Sequence, residues 1–396
     1  MKKHLLSIAL TAALATTGFA NAAEIKIGVI LGYTGPIESL TPDMAASAEL
    51  AFKEASESGM LLSGSTILPI RADSTCVDAS AATAAAERLI TADKVVAIMG
   101  ADCSGVTTAI ANSVAIPNGV VMVSPSATTP ALTSIDDKGL FFRTAPSDAR
   151  QGQVLADAVF EAGTKTIAVT YTNNDYGKGL SDAFVSAYKA LGGKVAIVAA
   201  HEDGKGDYSA EVAALAAAGA DRLAVLGYLD QGGKGIIQAS IDTGAFDMFA
   251  LGDGMIGQSL VDAFGNDMVD TIATSPGGTS DAMDNFVKMA KANKIGGEGP
   301  YDGTSYDAGA LIVLAIQAGG SADRASIQAN MMSVANAPGT KIYPGEIKKA
   351  LEILAAGGAV DYVGATNIEF SDVGEVYGTY RQLEIKNNKF SLVKVR

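Results

Sequence analysis

The sequence predicts an α/β protein of two Rossmann-like lobes, each built on a parallel sheet and joined to the other by a multi-strand hinge. Three observations predict it. From Glu24 onward, short β-branched runs alternate with longer Ala-rich segments of helical character, the pattern of βα repetition. Runs such as Val95-Val96-Ala97-Ile98-Met99 are apolar throughout, which suits parallel strands covered on both faces. About 370 residues remain once an N-terminal export segment is set aside, more than one hydrophobic core usually supports.

At the N-terminus, Met1-Lys2-Lys3-His4 leads into an apolar run from Leu5 to Ala15 that ends near the small-residue site Ala20-Asn21-Ala22. This reads as a secretory signal peptide over residues 1–22. The run falls short of the roughly 20 residues of a bilayer-spanning helix, which weighs against the alternative of an uncleaved anchor. No Cys follows the cleavage site, so lipid attachment is not expected there. Cleavage removes Lys2 and Lys3 and moves the formal charge from -14 to about -16. So acidic a chain is repelled by nucleic acid and by anionic membrane surfaces, and neither is expected as a partner. Two cysteines remain, Cys76 and Cys103, in an exported chain where disulfides persist. An even count favours one bridge, with two buried free thiols as the alternative.

The first βα series places strands at 25–30, 66–72, 95–99 and 119–123, with helices at 42–58 and 79–91. The second places strands at 166–171, 194–199, 222–226, 248–251 and 269–274, with helices at 177–191, 208–218 and 231–243. Between them Phe141-Phe142-Arg143-Thr144-Ala145-Pro146 reads as a crossover. After Pro276 the pattern returns to helices at 281–293, 303–318, 324–335 and 344–355. The stretch from Ala310 to Ile316, stopped by Gln317, reads as a buried helix and not as a membrane span. Strands at 366–370, 377–385 and 390–395 close the chain, the last two joined at Asn387-Asn388 like a hairpin. The first lobe is thus expected to hold residues 23–145 plus 276–365, and the second 146–275 plus 366–396. Several crossovers side by side make a hinge that can bend.

Open parallel sheets take ligands beyond the carboxyl ends of their strands, so the loops after strands are the candidate sites. In Gly100-Ala101-Asp102-Cys103-Ser104-Gly105, Ser104 can cap a helix or turn toward a ligand. Ser124-Pro125-Ser126-Ala127-Thr128-Thr129-Pro130 gathers hydroxyls and N–H groups in one turn, which suits a carboxylate as well as it suits an ordinary Ser/Thr-rich turn. Gly252-Asp253-Gly254-Met255-Ile256-Gly257 matches G-x-G-x-x-G but sits too late in the chain for a dinucleotide fingerprint. Asp253 reads better as an acid at a strand end, able to pair with a ligand ammonium or to cap a helix. Only two histidines exist, and His4 leaves with the signal peptide, so histidine catalysis and a His-rich metal site are not expected. The sequence has no G-x-S-x-G, P-loop or H-E-x-x-H signature. Asp43, Asp73, Asp78 and the stretch 204–207 lack EF-hand spacing, so no metal is expected.

Taken together, the start Ile25-Lys26-Ile27-Gly28-Val29-Ile30 with Thr34-Gly35-Pro36, the Cys76/Cys103 pair, the Ser124 to Pro130 loop and Asp175-Tyr176-Gly177-Lys178-Gly179 resemble the type I periplasmic binding-protein family, specifically its leucine/isoleucine/valine-binding branch. The resemblance covers nearly the whole mature chain. It implies the two-lobed fold of that family and the role of substrate-binding component of an ABC importer, located in the periplasm. Such a protein is no enzyme and needs no cofactor. It holds a zwitterionic amino acid, branched-chain or related, between its lobes, acts as a monomer and presents the ligand to permease subunits.

By position, the resemblance assigns the ligand carboxylate to Ser104 and Thr128. It assigns the ammonium to the backbone carbonyl of Ser126, beside Ala127, and to Asp253, and it makes Tyr176 and Tyr228 the cover on closure. Tyr33 and Tyr306 are candidate pocket walls. The chain departs from branched-chain binders at two points: it carries Asp253 where they carry glutamate, and Leu40 near where they place an aromatic. A ligand-sensing receptor for a γ-amino acid, an aromatic acid or another small metabolite is the alternative. An enzyme on this scaffold is a third reading that no nucleophile-base pair supports.

Overall fold

The structure, a computed structural model, describes residues 22–268 and 270–396. The expected signal peptide therefore lies outside the described residues except for Ala22.

Fourteen strands are named here in chain order: β1 (Glu24–Leu31), β2 (Thr66–Asp73), β3 (Ala97–Gly100), β4 (Val121–Ser124), β5 (Phe141–Arg143), β6 (Thr166–Thr172), β7 (Lys194–His201), β8 (Arg222–Leu226), β9 (Phe249–Leu251), β10 (Ile272–Pro276), β11 (Thr340–Ile342), β12 (Val360–Tyr362), β13 (Tyr380–Lys386) and β14 (Lys389–Val395). The first sheet runs β2-β1-β3-β4-β5, parallel throughout. The second runs β14-β13-β10-β9-β8-β6-β7, parallel except for the antiparallel edge made by β13 and β14. A small parallel pair, β11 with β12, lies apart from both. Asn387 and Asn388 join β13 to β14 with both residues at positive φ, the geometry a two-residue hairpin turn needs.

The helices are α1 (Thr41–Glu57), α2 (Ala79–Thr91), α3 (Ser104–Ile110), α4 (Asp148–Glu161), α5 (Asp175–Ala190), α6 (Ser209–Ala216), α7 (Gly232–Thr243), α8 (Gln258–Phe264), α9 (Asp281–Ala292), α10 (Asp302–Ala318), α11 (Arg324–Ala335) and α12 (Ile347–Ala355). Side chains start several of them. Asp78, Ser147, Asn174 and Ser280 each accept a backbone N–H in the first turn of α2, α4, α5 and α9. Helix α10 is buried nearly all round, as a helix without a polar face must be. It lies close against α1 because Gly309 has no side chain: a Cβ there would meet the Ala48 carbonyl oxygen at 2.7 Å. Among the described residues no helix is long and apolar enough to cross a membrane.

Two expected features differ. Residues 366–370 form no strand, apart from a single bridge of Phe370 to Val376. The Asp307 carboxylate claims that backbone instead, accepting from Ala365 N at 2.8 Å and from Thr366 N and Oγ1 at 2.9 and 2.6 Å. The strand expected at 269–274 begins only at Ile272, and residue 269 lies outside the described residues. Helices α4 and α8 lie between expected strands, the β11–β12 pair appears where no element was expected, and Phe141–Arg143 of the expected crossover is itself an edge strand.

The chain passes between the sheets three times, from β5 into α4, from β10 into α9, and from β12 to β13. One apolar cluster packs β1, β3 and β4 of the first sheet against α1, α10, α11 and α12. Another covers the outer side of the second sheet. A third runs across both, from Ile30, Ile98 and Met122 to Ile167, Leu226 and Ala250, and holds Tyr176 and Tyr228.

Candidate functional site

The loops after β1, β3 and β4 meet the loops after β6, β8 and β9 across a narrow crevice, with the start of α10 at one side. Its lining is Ile37, Asp102, Cys103, Ser104 and Ser126 against Tyr176, Tyr228 and Gly254, with Tyr301 beside them. The space between these side chains, counted out to its open mouth, is about 260 Å³, and very little of it is wide enough for a water molecule. That is room for about one water, so the two sheets are drawn together here.

On the first sheet's side the loops are tied to one another. A disulfide joins Cys76, after β2, to Cys103, after β3. Asp102 accepts from Gly32 N at 2.7 Å, Cys103 N at 3.0 Å and Ser74 Oγ at 3.2 Å, which links the loops after β1, β2 and β3. Burial nevertheless pushes its carboxyl above the usual carboxylate range. Ser104 Oγ accepts from Thr129 N at 3.1 Å, leaving its own proton to donate. Ser126 Oγ donates to the Asp102 carbonyl at 3.1 Å. Ala127 and Thr128 are fully buried, and the Thr128 hydroxyl has no partner. Behind the loop, Arg143 Nη1 donates to the carbonyls of Ala127 and Thr129 at 3.1 and 2.9 Å, and its guanidinium pairs with Glu375.

On the second sheet's side, Tyr176 stacks on Tyr228 with centroids 5.0 Å apart. The Tyr176 hydroxyl donates to Asp253 Oδ1 at 2.7 Å and accepts from Gly254 N at 3.1 Å. The glycines of the G-x-G-x-x-G match have a packing reason here. A Cβ on Gly254 would stand 2.7 Å from the Gly227 carbonyl oxygen and 3.0 Å from the Tyr176 hydroxyl. The Tyr301 hydroxyl, from the start of α10, donates to the other Asp253 oxygen.

Asp148, the first residue of α4, completes the arrangement. Its amide donates to the Thr128 carbonyl at 2.8 Å, while both carboxylate oxygens are buried without a hydrogen-bond partner. Burial, and then the charge of Asp253, push its carboxyl well above the usual range, against the nearby Thr128 hydroxyl and the Arg143 guanidinium, which lower it. Asp253 is also raised, by burial, against the two tyrosine hydroxyls that favour its charged form. Asp148 and Asp253 cannot both ionise cheaply, although the Thr128 hydroxyl and Arg143 near Asp148 and the two tyrosine hydroxyls on Asp253 favour the charged forms.

The structure thus brings Ser104, Ser126, Tyr176 and Tyr228 to the crevice and sets Asp253 and Thr128 directly behind its surface. Tyr33 and Tyr306 lie elsewhere. The Tyr33 ring lies under the Arg71 guanidinium, 5.7 Å from its centroid. Tyr306 is buried in the first lobe's core, where its hydroxyl donates to Glu54 Oε1 at 3.0 Å. Asp148, Tyr301, Asp102 and Arg143 were missed from the sequence. Ser147-Asp148 reads as an ordinary helix start, and no local pattern marks it as a site.

Polar groups converging between two doubly wound sheets are the geometry of a solute-binding protein. The chain belongs to the periplasmic binding protein family, whose model matches residues 24–348. Within it, the chain falls in the branch of Leu/Ile/Val-binding proteins, which serve ABC importers, and it is not an enzyme. It is 30% identical to the leucine-, isoleucine-, valine-, threonine-, and alanine-binding protein of Pseudomonas aeruginosa, over 79% of this chain and 84% of that one. It is also 30% identical to the Leu/Ile/Val-binding protein homolog 1 of Brucella melitensis, over 82% and 86%. Homolog 3 of the same organism is 35% identical, but over 55% of this chain and 59% of that one. Among solved structures, a leucine binding protein from Thermotoga maritima superposes with a TM-score of 0.78 at 25% identity, covering 94% of this chain and 98% of that one. A 4-hydroxybenzoate complex of a Rhodopseudomonas palustris solute binding protein shares the fold, with a TM-score of 0.75 at 18% identity and coverage of 94% and 97%.

Proposed function

We propose that the protein is the periplasmic substrate-binding component of an ABC importer and that it carries a zwitterionic amino acid to its permease as a monomer. The observation that supports this best is the pair Asp148 and Asp253, both buried at the crevice, with no cationic side chain among the residues that line it. A ligand ammonium supplies the missing charge and favours the ionised acids, so protons leave to solvent. The Thr128 and Ser104 hydroxyls then face the ligand carboxylate, and the Ser126 carbonyl is available to the ammonium. Charge-assisted bonds contribute about 1.5–3 kcal/mol each, so three together give about 4.5–9 kcal/mol, the range from millimolar to micromolar affinity. Residues 23–145 with 276–365 and residues 146–275 with 366–396 form the two lobes, and their pivoting admits and releases the ligand. Closure excludes water and strengthens every ionic contact.

An aromatic acid, of the kind bound by the Rhodopseudomonas protein, would set an anion against two acids with no ammonium to offset them. A thermal-shift screen over amino acids, γ-amino acids and aromatic acids ranks the candidates, because a ligand of the folded state raises the melting temperature. Calorimetric titration of Asp253→Ala with the best amino acid then tests the assignment. A loss of about a hundredfold or more is expected, and unchanged affinity defeats it.

A further inference from the structure

Three consecutive carbonyls of the loop after β4 are held from behind. Those of Ala127 and Thr129 accept from Arg143 Nη1, and the one between them, of Thr128, accepts from the Asp148 amide. Arg143 is fully buried and ends β5, where the chain leaves the first sheet for α4. The rest of its guanidinium holds a different segment. Nε donates to Glu375 Oε2 at 3.0 Å and Nη2 to Thr133 Oγ1 at 2.8 Å, and the Thr133 hydroxyl in turn donates to Glu375 Oε2 at 2.9 Å. Glu375 lies on the third passage between the sheets, from β12 to β13. From there the first and third passages run side by side. Arg143 N donates to the Gly374 carbonyl at 3.0 Å, and a parallel bridge pairs Arg143 with Glu375. Farther along, the Tyr380 hydroxyl lies 3.3 and 3.2 Å from the Pro146 and Ser147 carbonyl oxygens. One guanidinium thus fastens the loop that carries Thr128 to two of the three segments that join the sheets.

We propose that Arg143 is a positioning residue for ligand capture: without touching the ligand, it keeps the backbone on both sides of Thr128 in register with the hinge, so that closure delivers the Thr128 hydroxyl to the ligand carboxylate. The proposal rests on the reading of the crevice as an amino-acid site. A planar fork suits the task, because one guanidinium reaches two carbonyls and a carboxylate at once, whereas an ammonium acts as a point charge. Its charge also acts on Asp148, whose ionised form it favours. The other titratable groups about that acid are Asp253 and the hydroxyls of Tyr176, Tyr228, Tyr301 and Tyr380, and burial keeps the tyrosines neutral. Losing the cation raises the Asp148 carboxyl further, so the loss of affinity on acidification begins at a higher pH.

Isothermal titration with L-alanine, L-threonine, L-valine, L-isoleucine and L-leucine tests this from about pH 5 to 8, with melting temperatures measured beside it. It compares the unmodified protein with Arg143→Gln, Arg143→Lys and Glu375→Gln. For each amino acid that the unmodified protein binds, Arg143→Gln is expected to weaken binding about tenfold or more at neutral pH and to move the acid limb of the pH profile to higher pH. Arg143→Lys keeps the charge and so the pH profile, but loses the fork and about threefold or more in affinity. Glu375→Gln leaves Arg143 on the loop, weakens its tie to the third passage and is expected to cost about threefold. An arginine with a merely structural role lowers the melting temperature and leaves the affinity and pH profile of the folded protein unmoved. That result overturns the proposal while leaving amino-acid binding standing. Should Arg143→Gln fail to fold, parental affinity in both Arg143→Lys and Glu375→Gln overturns it as well. Absence of binding by all five amino acids overturns the proposal and the reading beneath it together.

Discussion

The Ser39 amide donates to the Asp230 carboxylate at 2.8 Å, and the Asp230 amide returns a bond to the Pro36 carbonyl at 2.8 Å. The two bonds join the loop after β1 to the loop after β8, on either side of the crevice mouth, so they exist only while the sheets are together. Asp230→Ala removes the side-chain bond and is expected to cost about 1 kcal/mol, close to fivefold in ligand affinity. Titration calorimetry reads the affinity. Solution scattering of the same variant should show a larger radius of gyration at subsaturating ligand, and parental values in both would leave the bond without a part in closure.

A second contact across the lobes depends on the absence of a side chain. A Cβ on Gly179 of α5 would meet Pro130 Cδ and Thr129 Oγ1, each at 2.8 Å. Gly179→Leu is expected to wedge α5 away from the loop after β4 and to weaken ligand at least tenfold. The melting temperature of the ligand-free variant should stay within a few degrees of the parent, because the open form has no such clash. A large drop in that temperature would place the defect in folding instead.

Asp148 and Asp253 predict a proton linkage. Burial raises both carboxyls, and a ligand ammonium favours their charged forms, so binding is expected to release protons. Affinity is therefore expected to fall as the pH is lowered, and the calorimetric enthalpy at neutral pH should vary with the ionisation enthalpy of the buffer. In Asp148→Asn the buffer dependence should vanish and affinity should drop by about a hundredfold. An enthalpy independent of buffer in the unmodified protein counts against this proton release.

Glu54 offers a test away from the crevice. Burial raises its carboxyl to about 7, against the Tyr306 hydroxyl that lowers it. The folded state then binds more protons than the unfolded state, so this group's contribution is fully present below about pH 4.5 and is lost as pH rises through about 7. Glu54→Gln, neutral at every pH, is expected to stabilise the protein by about 1–3 kcal/mol at pH 8 and to change little at pH 5. Melting curves at the two pH values check the sign.

Much of the fold was legible in the chain because its signals are local. The run Arg222 to Leu226 is strand β8 to the residue, and the periods of 79–91 and 324–335 are α2 and α11. Asn387-Asn388 carries its hairpin in its own backbone preference. Residues 366–370 were misread because their extended, β-branched pattern is genuine, but side chains distant in sequence take backbone groups a strand would have used: Asp307 accepts from Thr366 N, and Asn336 bonds both the N–H and the carbonyl of Phe370.

Composition and motif order determined the acidic balance of the chain, the βα layout and the loops in which Ser104, Ser126 and Thr128 sit, since each is written within a few neighbouring residues. Only the tertiary structure decided which acids and aromatics complete the crevice. Asp148 and Tyr301 lie at ordinary helix starts and acquire meaning when the crossover into α4 and the packing of α10 bring them near Asp253. Tyr306, just five positions beyond Tyr301, is turned by the helix onto Glu54 and into the core. Burial, and the proximity of like charges that it makes costly, are properties of that packing and have no trace in the residues read one after another.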